Sequence, residues 1–186
     1  TSTVSTLIAF VLGIAVAYVL VFKDIPFKKS FSTLVTLPLV LPPSVAGYLL
    51  LITFGRYGTV GRFLNNFGIT IMFTIEAIIL AQVFVILPFI INSLKASFED
   101  LDPNYRKVSQ ILGASEWYTF RKVIMPLSRG GVFTGVIMAF ARAMGEFGAT
   151  MLVSGLNETM TIAIYKNAMS GKRLEADVLS VILIIV

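Results

Sequence analysis

The segment "TSTVSTLIAFVLGIAVAYVLVF" (1–22) contains no charged side chain. About 20 consecutive apolar residues are enough for a helix to cross the hydrocarbon core of a bilayer. The remaining sequence has the same character: 56% of the 186 residues are hydrophobic, 13% are charged and the mean hydropathy is +0.88. An average soluble domain contains about 25% charged residues. The sequence therefore predicts an all-α membrane protein, a polytopic bundle of transmembrane helices.

Three further apolar runs are long enough to cross a membrane. They cover residues 30–55, 63–94 and 130–156, and the ionisable residues within them are Glu76, Arg142 and Glu146. Pro42 and Pro43 are expected to break the first run into two half-helices, because proline lacks the backbone N–H and clashes with the preceding turn. A last apolar run, 178–186, is too short to span. We therefore expect about five spans in a single transmembrane domain, 1–186, truncated at both ends.

Basic residues alternate between the predicted connections. The connections 23–29 and 95–129 hold nine lysines and arginines, whereas 55–62 and 157–177 hold five. Because cytoplasmic loops carry an excess of lysine and arginine, the first pair is expected in the cytoplasm and the protein in the inner (cytoplasmic) membrane. The net charge of +5 is thus explained by orientation relative to membrane lipid, and no nucleic-acid partner is expected.

The composition excludes several kinds of chemistry. Cysteine and histidine are both absent, which removes disulfides, thiolate nucleophiles, most zinc and haem ligation and His-dependent triads. A phosphate-binding P-loop needs Ser or Thr after Gly-Lys, and the only such pair, Gly171 and Lys172, is followed by Arg173. We expect a transport subunit rather than an enzyme, with no metal or cofactor in this chain. A passive anion channel has the same composition and stays an alternative.

Residues 101–126 are predicted to form a helix-glycine-helix hairpin, called the hairpin below. Asp102 is placed to cap the first helix, and Gly113 to end it in a left-handed turn. Ser115 can cap the second helix, and Pro126 is expected to stop it. Each helix has one apolar side, so the residues alone allow a hairpin resting on the membrane surface or one docked to a partner protein.

The segment "KVSQILGASEWYTFRKVIMP" (107–126) resembles the cytoplasmic coupling motif of ABC-transporter permeases. In that motif a Glu-Ala-Ala triplet is followed by a glycine and, thirteen residues later, by a proline. Gly113 and Pro126 keep this spacing, but Lys107 replaces the glutamate and reverses its charge. The resemblance implies docking to a dimer of ABC ATPase subunits, which bind ATP and Mg²⁺. The residues that it assigns to coupling are Lys107, Val108, Ser109, Gly113, Ala114, Ser115 and Pro126.

Two further stretches resemble the permeases of molybdate importers. They are "LPLVLPPSVAGYLLLITFGRYGTVGRFL" (37–64) and "FARAMGEFGATMLVSG" (140–155), and "TMTIAIY" (159–165) fits the segment that follows. Sulfate and thiosulfate permeases share the Arg-Ala-x-Gly-Glu pattern. The resemblance implies a permease subunit of an ATP-driven importer for molybdate, with tungstate chemically similar and sulfate or thiosulfate as the alternative. It also implies an external oxyanion-binding protein, docked on segments 55–68 and 157–175, and a second permease copy.

Arg142 and Glu146 are the candidate site in the last long apolar run. At spacing i and i+4 on one helix they can neutralise each other, on the side that carries Gly131 and Gly135, a pair that lets another helix approach closely. Three interpretations are open: a clamp between helices, the lining of a hydrated anion path, and proton coupling through Glu146. The last is disfavoured because a neighbouring arginine keeps a carboxylate ionised.

The second candidate feature is the triplet Pro42, Pro43 and Ser44. Broken backbone at this point could present N–H groups to an anion, as half-helix ends do in other transporters. A kink that serves packing alone is the simpler interpretation.

Overall fold

The computed structural model describes residues 1–185 of the chain. Within that range it contains twelve α-helices and one π-helical turn, and no strand. The first five helices are α1 (Ser2–Phe22), α2 (Lys28–Val40), α3 (Pro43–Phe54), α4 (Thr59–Asn65) and α5 (Ile75–Glu99). The next three are α6 (Pro103–Ile111), α7 (Glu116–Thr119) and, after the π turn Phe120–Ile124, α8 (Met125–Leu127). The last four are α9 (Arg129–Met144), α10 (Gly148–Val153), α11 (Met160–Met169) and α12 (Arg173–Ile185). The predicted all-α fold is confirmed.

Helix α5 is the centre of the bundle and packs most extensively against α1 and α9. Its side chains are buried on several sides, as expected for a helix without a polar face; Ile86, Ile90 and Leu94 belong to the largest apolar core. Gly131 and Gly135 of α9 face α5, since a Cβ at Gly135 would lie 3.0 Å from the Cβ of Ser93. The predicted close approach of another helix to this glycine pair is confirmed.

The candidate spans within residues 1–185 are consistent with the predicted polytopic bundle. Helices α1 and α5 are each long and apolar enough to cross a membrane, and two bent pairs bring the number to four at most in this range. These pairs are α2 with α3, bent by 114°, and 116–127 with α9, bent by 73°. Helix α12, with thirteen described residues, is shorter than a span. The final residue of the predicted run 178–186 lies outside the described part.

The prolines at 42 and 43 break the chain as predicted. Helix α2 ends at Val40, and Leu41 and Pro42 are extended before α3 begins at Pro43. This follows from proline's restriction of the residue before it, which disfavours helical backbone. Pro38 lies inside α2 without ending it.

In two of the predicted apolar runs, the helix that forms is shorter than the run. The run 63–94 becomes helical as α5 only from Ile75, after the short α4 and a loop. The run 130–156 is interrupted at residues 145–147, between α9 and α10, so Glu146 does not lie on the same helix as Arg142. The prediction of one continuous helical face along this run is therefore wrong beyond Met144.

The capping pattern of the hairpin is confirmed at three residues. The Asp102 carboxylate accepts from the N–H of Asn104 at 2.8 Å, and the Ser115 hydroxyl oxygen accepts from the N–H of Tyr118 at 3.2 Å. Gly113 has φ +84°, the left-handed conformation that favours glycine. The expectation for Pro126 is wrong: it lies inside α8, because the preceding π turn accommodates a residue that cannot donate an N–H.

Candidate functional site

The break between α2 and α3 lies against the break between α9 and α10. Helix α3 crosses α10 so closely that a Cβ at Gly47 would lie 2.7 Å from the carbonyl oxygen of Ala149. A Cβ at Gly148 would lie 2.8 Å from the Cβ of Pro43. This contact, between residues 41–47 and 142–150, is called the junction below. It brings together the two candidate features of the sequence, Pro42 to Ser44 and Arg142 with Glu146.

Glu146 is the buried charge of the junction. Its side chain is 0% exposed, and its Oε2 lies 2.6 Å from Nη1 of Arg142, whose side chain is 31% exposed. This contact is an ion pair without hydrogen-bond geometry. The other carboxylate oxygen, Oε1, accepts from the N–H of Ala149 at 2.8 Å. Glu146 therefore both pairs with arginine and caps the first turn of α10.

The main-chain carbonyl of Glu146 holds a third element in place. It accepts from the hydroxyl of Thr150 at 3.1 Å and from that of Thr161 at 2.9 Å. Thr161 belongs to α11, which is formed by the segment that follows the junction in the sequence. The interrupted backbone thus leaves a carbonyl free to anchor a neighbouring helix.

Gln82 of α5 braces the junction from the centre of the bundle. It is 1% exposed. Its Oε1 accepts from the hydroxyl of Ser5 at 2.7 Å, and its Nε2 donates to the carbonyl oxygen of Ala143 at 3.1 Å. One amide therefore joins α1, α5 and the last turn of α9. This agrees with the expectation that a buried polar group in a membrane bundle bonds across helices.

A small cavity of about 120 Å³ lies beside the junction. Arg142 is the charged residue of its lining, and the others are apolar, among them Pro38, Pro43 and Phe89. A guanidinium at the edge of an apolar cavity can attract an anion, but here it is also paired with Glu146. The geometry therefore supports a clamp role for Glu146 and is compatible with either role for Arg142.

The hairpin presents an apolar groove, the coupling groove, with a volume of about 1070 Å³. Five of the seven residues predicted to couple to an ATPase line it: Val108, Ser109, Gly113, Ala114 and Ser115. Leu112, which also lines it, is 81% exposed. Lys107 and Pro126 lie outside the groove; Lys107 is on the side of α6 that carries Arg106 and Gln110.

Apolar packing connects the hairpin to the bundle. The ring of Phe120 lies edge-on to Tyr18 of α1, with centroids 4.9 Å apart, and to Phe98 of α5 at 6.0 Å. Phe120 is buried within the same core as α5. Within the hairpin, a buried hydrogen bond of 2.9 Å joins the hydroxyls of Ser109 and Thr119.

Glu116 adds an electrostatic connection between α1 and the hairpin. Its Oε2 accepts from Nζ of Lys23 at 2.8 Å, and its Oε1 lies 3.1 Å from Nη2 of Arg106. Lys23 directly follows the last residue of α1. The hydrogen bond that its ammonium donates to Glu116 raises the pKa of Lys23 above its usual value. The same hydrogen bond connects the end of α1 to the hairpin.

Comparison with known proteins places the chain. Residues 9–186 match the family described as "binding-protein-dependent transport system inner membrane component". The chain belongs to this family. The predictions of a membrane protein and of a transport subunit rather than an enzyme are confirmed by this membership.

Relatives of known type cover the whole chain. The molybdenum transport system permease protein ModB of Mycobacterium tuberculosis is 38% identical over 190 residues, which cover 100% of this chain and 72% of the relative. ModB of Escherichia coli is 38% identical over 164 residues, 87% of this chain and 72% of the relative. The sulfate transport system permease protein CysW of Synechocystis is 34% identical over 183 residues, 95% of this chain and 66% of the relative. The predicted resemblance to both groups is confirmed.

Sequence reasoning did not identify Glu116 or Thr161 as contacts. Glu116 stands beside the capping Ser115, where an acidic residue is ordinary. Its partner Lys23 is 93 positions away in the chain. Thr161 bonds a carbonyl that is free only because the helix is interrupted. No local pattern points to either contact.

Proposed function

We propose that this chain is the membrane-spanning permease subunit of an ATP-driven oxyanion importer and that molybdate is its substrate. The observation that carries the proposal is the coupling groove, lined by five residues of a predicted coupling motif and joined to the bundle. Relatives named as molybdenum permeases, 38% identical over 87–100% of the chain, support molybdate. Tungstate is chemically close to molybdate, and the sulfate permease at 34% identity supports sulfate as the alternative substrate.

The proposed partner at the coupling groove is a dimer of ABC ATPase subunits in the cytoplasm, which would bind ATP and Mg²⁺. A partner that fills the groove covers exposed apolar side chains such as Val108 and Leu112, which favours association. Lys107 beside the groove replaces the glutamate of the related motif, so an acidic residue is expected opposite it on the partner.

The proposed route of motion runs from the hairpin into the helices. Closure of the ATPase dimer would displace the hairpin, and Phe120 and Glu116 would pass the displacement to α1 and α5. The junction lies where the α2/α3 break contacts the α9/α10 break, so a tilt of α9 would change the contact between α3 and α10. Residues 42–44 and 142–146 are proposed to act there, as a clamp or along the anion path.

The remaining partners are an external oxyanion-binding protein and a second copy of the permease. The binding protein is proposed to dock on segments 55–68 and 157–175, on the side opposite the hairpin. The family description, which names binding-protein-dependent transport, supports such a partner. A second copy is proposed because four candidate spans at most are few to enclose a path alone.

Transport measured in proteoliposomes tests the proposal. The permease, its ATPase and the binding protein are reconstituted together, and uptake of molybdate is followed with and without ATP. We expect uptake only with ATP, and none when the ATPase subunit carries a substitution that abolishes hydrolysis. Uptake that proceeds without ATP would support a passive channel and contradict the importer. Sulfate that competes as well as molybdate would contradict the proposed substrate alone.

A further inference from the structure

A second groove, called the lysine groove, opens on the same side of the bundle as the hairpin. It has a volume of about 380 Å³ and lies between α2 and α5, beside Leu20 near the end of α1. Its lining includes three lysines, three hydroxyl residues and one glutamate. They are Lys28, Lys29, Lys95, Ser32, Thr33, Thr36 and Glu99. Pockets for small ligands have volumes of about 300–1,000 Å³.

The charges in the lysine groove are not balanced. Three ammonium groups face one carboxylate, and the single ion pair between them is long, since Nζ of Lys95 lies 3.9 Å from Oε1 of Glu99. The Glu99 side chain is 55% exposed, so water screens that pair. A bound anion would offset the excess positive charge that lines the groove.

The lysine donors are only partly used. Nζ of Lys95 donates to the Ser32 hydroxyl at 3.5 Å, and Nζ of Lys28 donates to the carbonyl of Val21 at 3.5 Å. Both distances are at the limit of a hydrogen bond, and each ammonium has three donors. Most of this donor capacity is therefore available to a ligand.

The backbone at the start of α2 also favours a negatively charged ligand. Lys28 and Lys29 are the first two residues of α2, a helix of thirteen residues that begins without a side-chain cap. The N–H groups of a first helical turn have no acceptors within the helix and carry a partial positive charge. Ser32 accepts from Lys95, so its own proton is free to donate. Thr33 and Thr36 donate to carbonyls of α2 and shape the wall.

We propose that the lysine groove binds a tetrahedral oxyanion group, held by Lys28 and Lys95 with Lys29 and Ser32. The shared chemistry is that of a phosphate or a similar oxyanion, and the source is either the headgroup of an anionic lipid or a free ion. Basic pockets between membrane helices are suited to lipid headgroups. The groove is separate from the junction and from the coupling groove, so this proposal does not depend on the substrate of transport.

Two probes test the site in the subunit assembled in its complete transporter. The first is phosphatidylglycerol, counted by native mass spectrometry after release from nanodiscs of mixed phosphatidylglycerol and phosphatidylcholine. The second is radiolabelled inorganic phosphate, measured by equilibrium dialysis in nanodiscs of phosphatidylcholine alone. Retention of phosphatidylglycerol assigns the site to lipid, and binding of inorganic phosphate assigns it to a free ion.

A matched pair of variants makes the result specific. Lys28→Gln with Lys95→Gln removes two charges from the groove, whereas Arg121→Gln with Lys122→Gln removes two exposed charges from the hairpin. We expect the first variant to lose affinity about thirtyfold and the second to bind as the wild type does. Lys28→Arg with Lys95→Arg should restore binding, which separates loss of charge from loss of folding.

Equal binding by the wild type and the Lys28→Gln, Lys95→Gln variant would overturn the proposal, as would failure of the wild type to hold either probe.

Discussion

The junction and the hairpin each contain a glutamate that pairs with arginine, in opposite surroundings. Glu146 is 0% exposed and touches Arg142 alone among the basic residues, whereas the Glu116 side chain is 48% exposed and contacts both Lys23 and Arg106. A buried ion pair is costly to break because the remaining charge is left without a partner, while an exposed pair contributes little. The ion pair at the junction is therefore costly to separate, whereas the ion pairs of the hairpin can be separated at little cost.

Packing is also tighter at the junction than at the hairpin. At the junction, glycine permits backbone-to-backbone contact, as Gly47 does with Ala149. At the hairpin, a Cβ added to Gly113 would meet nothing within 4 Å, and apolar side chains are open to a partner. The proposed mechanism uses both properties: a firm contact at the junction and an adaptable surface at the hairpin.

Replacing Glu146 with alanine should have the largest effect. The change leaves the Arg142 guanidinium and the N–H of Ala149 without their partner, so the free energy of unfolding should fall by about 3–5 kcal/mol. The measurement is thermal unfolding in detergent together with the yield of assembled protein.

The matched variants are Glu146→Gln and Arg142→Met. Glutamine keeps an acceptor for Ala149 and should be milder than alanine. Arg142→Met should impair assembly if the arginine is a clamp; normal assembly with reduced oxyanion flux would instead favour a place along the path. Unchanged stability of Glu146→Ala would show that the junction is not held by this residue.

Gly47→Ala should have the next largest effect. The added Cβ would lie 2.8 Å from the Cα of Ala149, a backbone atom that cannot rotate away, and overpacking of this kind costs about 1–3 kcal/mol. Gly130→Ala is the control, because a Cβ at Gly130 meets nothing within 4 Å. Similar melting temperatures for the two variants would contradict the close contact of α3 with α10.

Gly113→Val should affect transport more than folding. A left-handed conformation costs a residue with a Cβ about 1–2 kcal/mol, and valine is also branched at that carbon. We expect ATP hydrolysis to continue while uptake per ATP falls. Gly113→Asn should be close to the wild type, since asparagine tolerates positive φ. Undiminished uptake by the valine variant would show that the hinge does not transmit motion.

Glu116→Gln should have the smallest effect on stability, because its ion pairs are exposed to solvent. Its expected effect is a lower ratio of uptake to ATP hydrolysis with a nearly unchanged melting temperature. Exchange of the charges, Lys23→Glu with Glu116→Lys, should restore part of that ratio. A Glu116→Gln variant with normal coupling would assign the connection to Phe120 alone.

Local patterns predicted one region of the molecule better than the other. Asp102, Gly113 and Ser115 act within a few residues of themselves, so the caps and the turn of the hairpin could be predicted from the sequence. The break at Pro42 was equally local, because proline restricts its own neighbours.

The interruption at residues 145–147 could not be predicted in the same way. Glycine at 145 and 148 is tolerated in a helix at a cost of about 1 kcal/mol, so the run 130–156 reads as continuous. What stabilises the break is tertiary: Gln82 bonds the carbonyl of Ala143, and Thr161 bonds that of Glu146. Contacts between residues 61 and 15 positions apart are not visible as a pattern in one sequence.

The π turn near the end of the hairpin limits how motion could pass to α9. Such a turn holds one residue more than an α-helical turn, and moving it along a helix rotates the intervening side chains by about 100°. Pro126 lies two residues after the turn and cannot donate the hydrogen bond that a shifted register would require. The turn is therefore held in its present register, and in the proposed mechanism a push on the hairpin would reach α9 as leverage about its first turn rather than as torque about its axis.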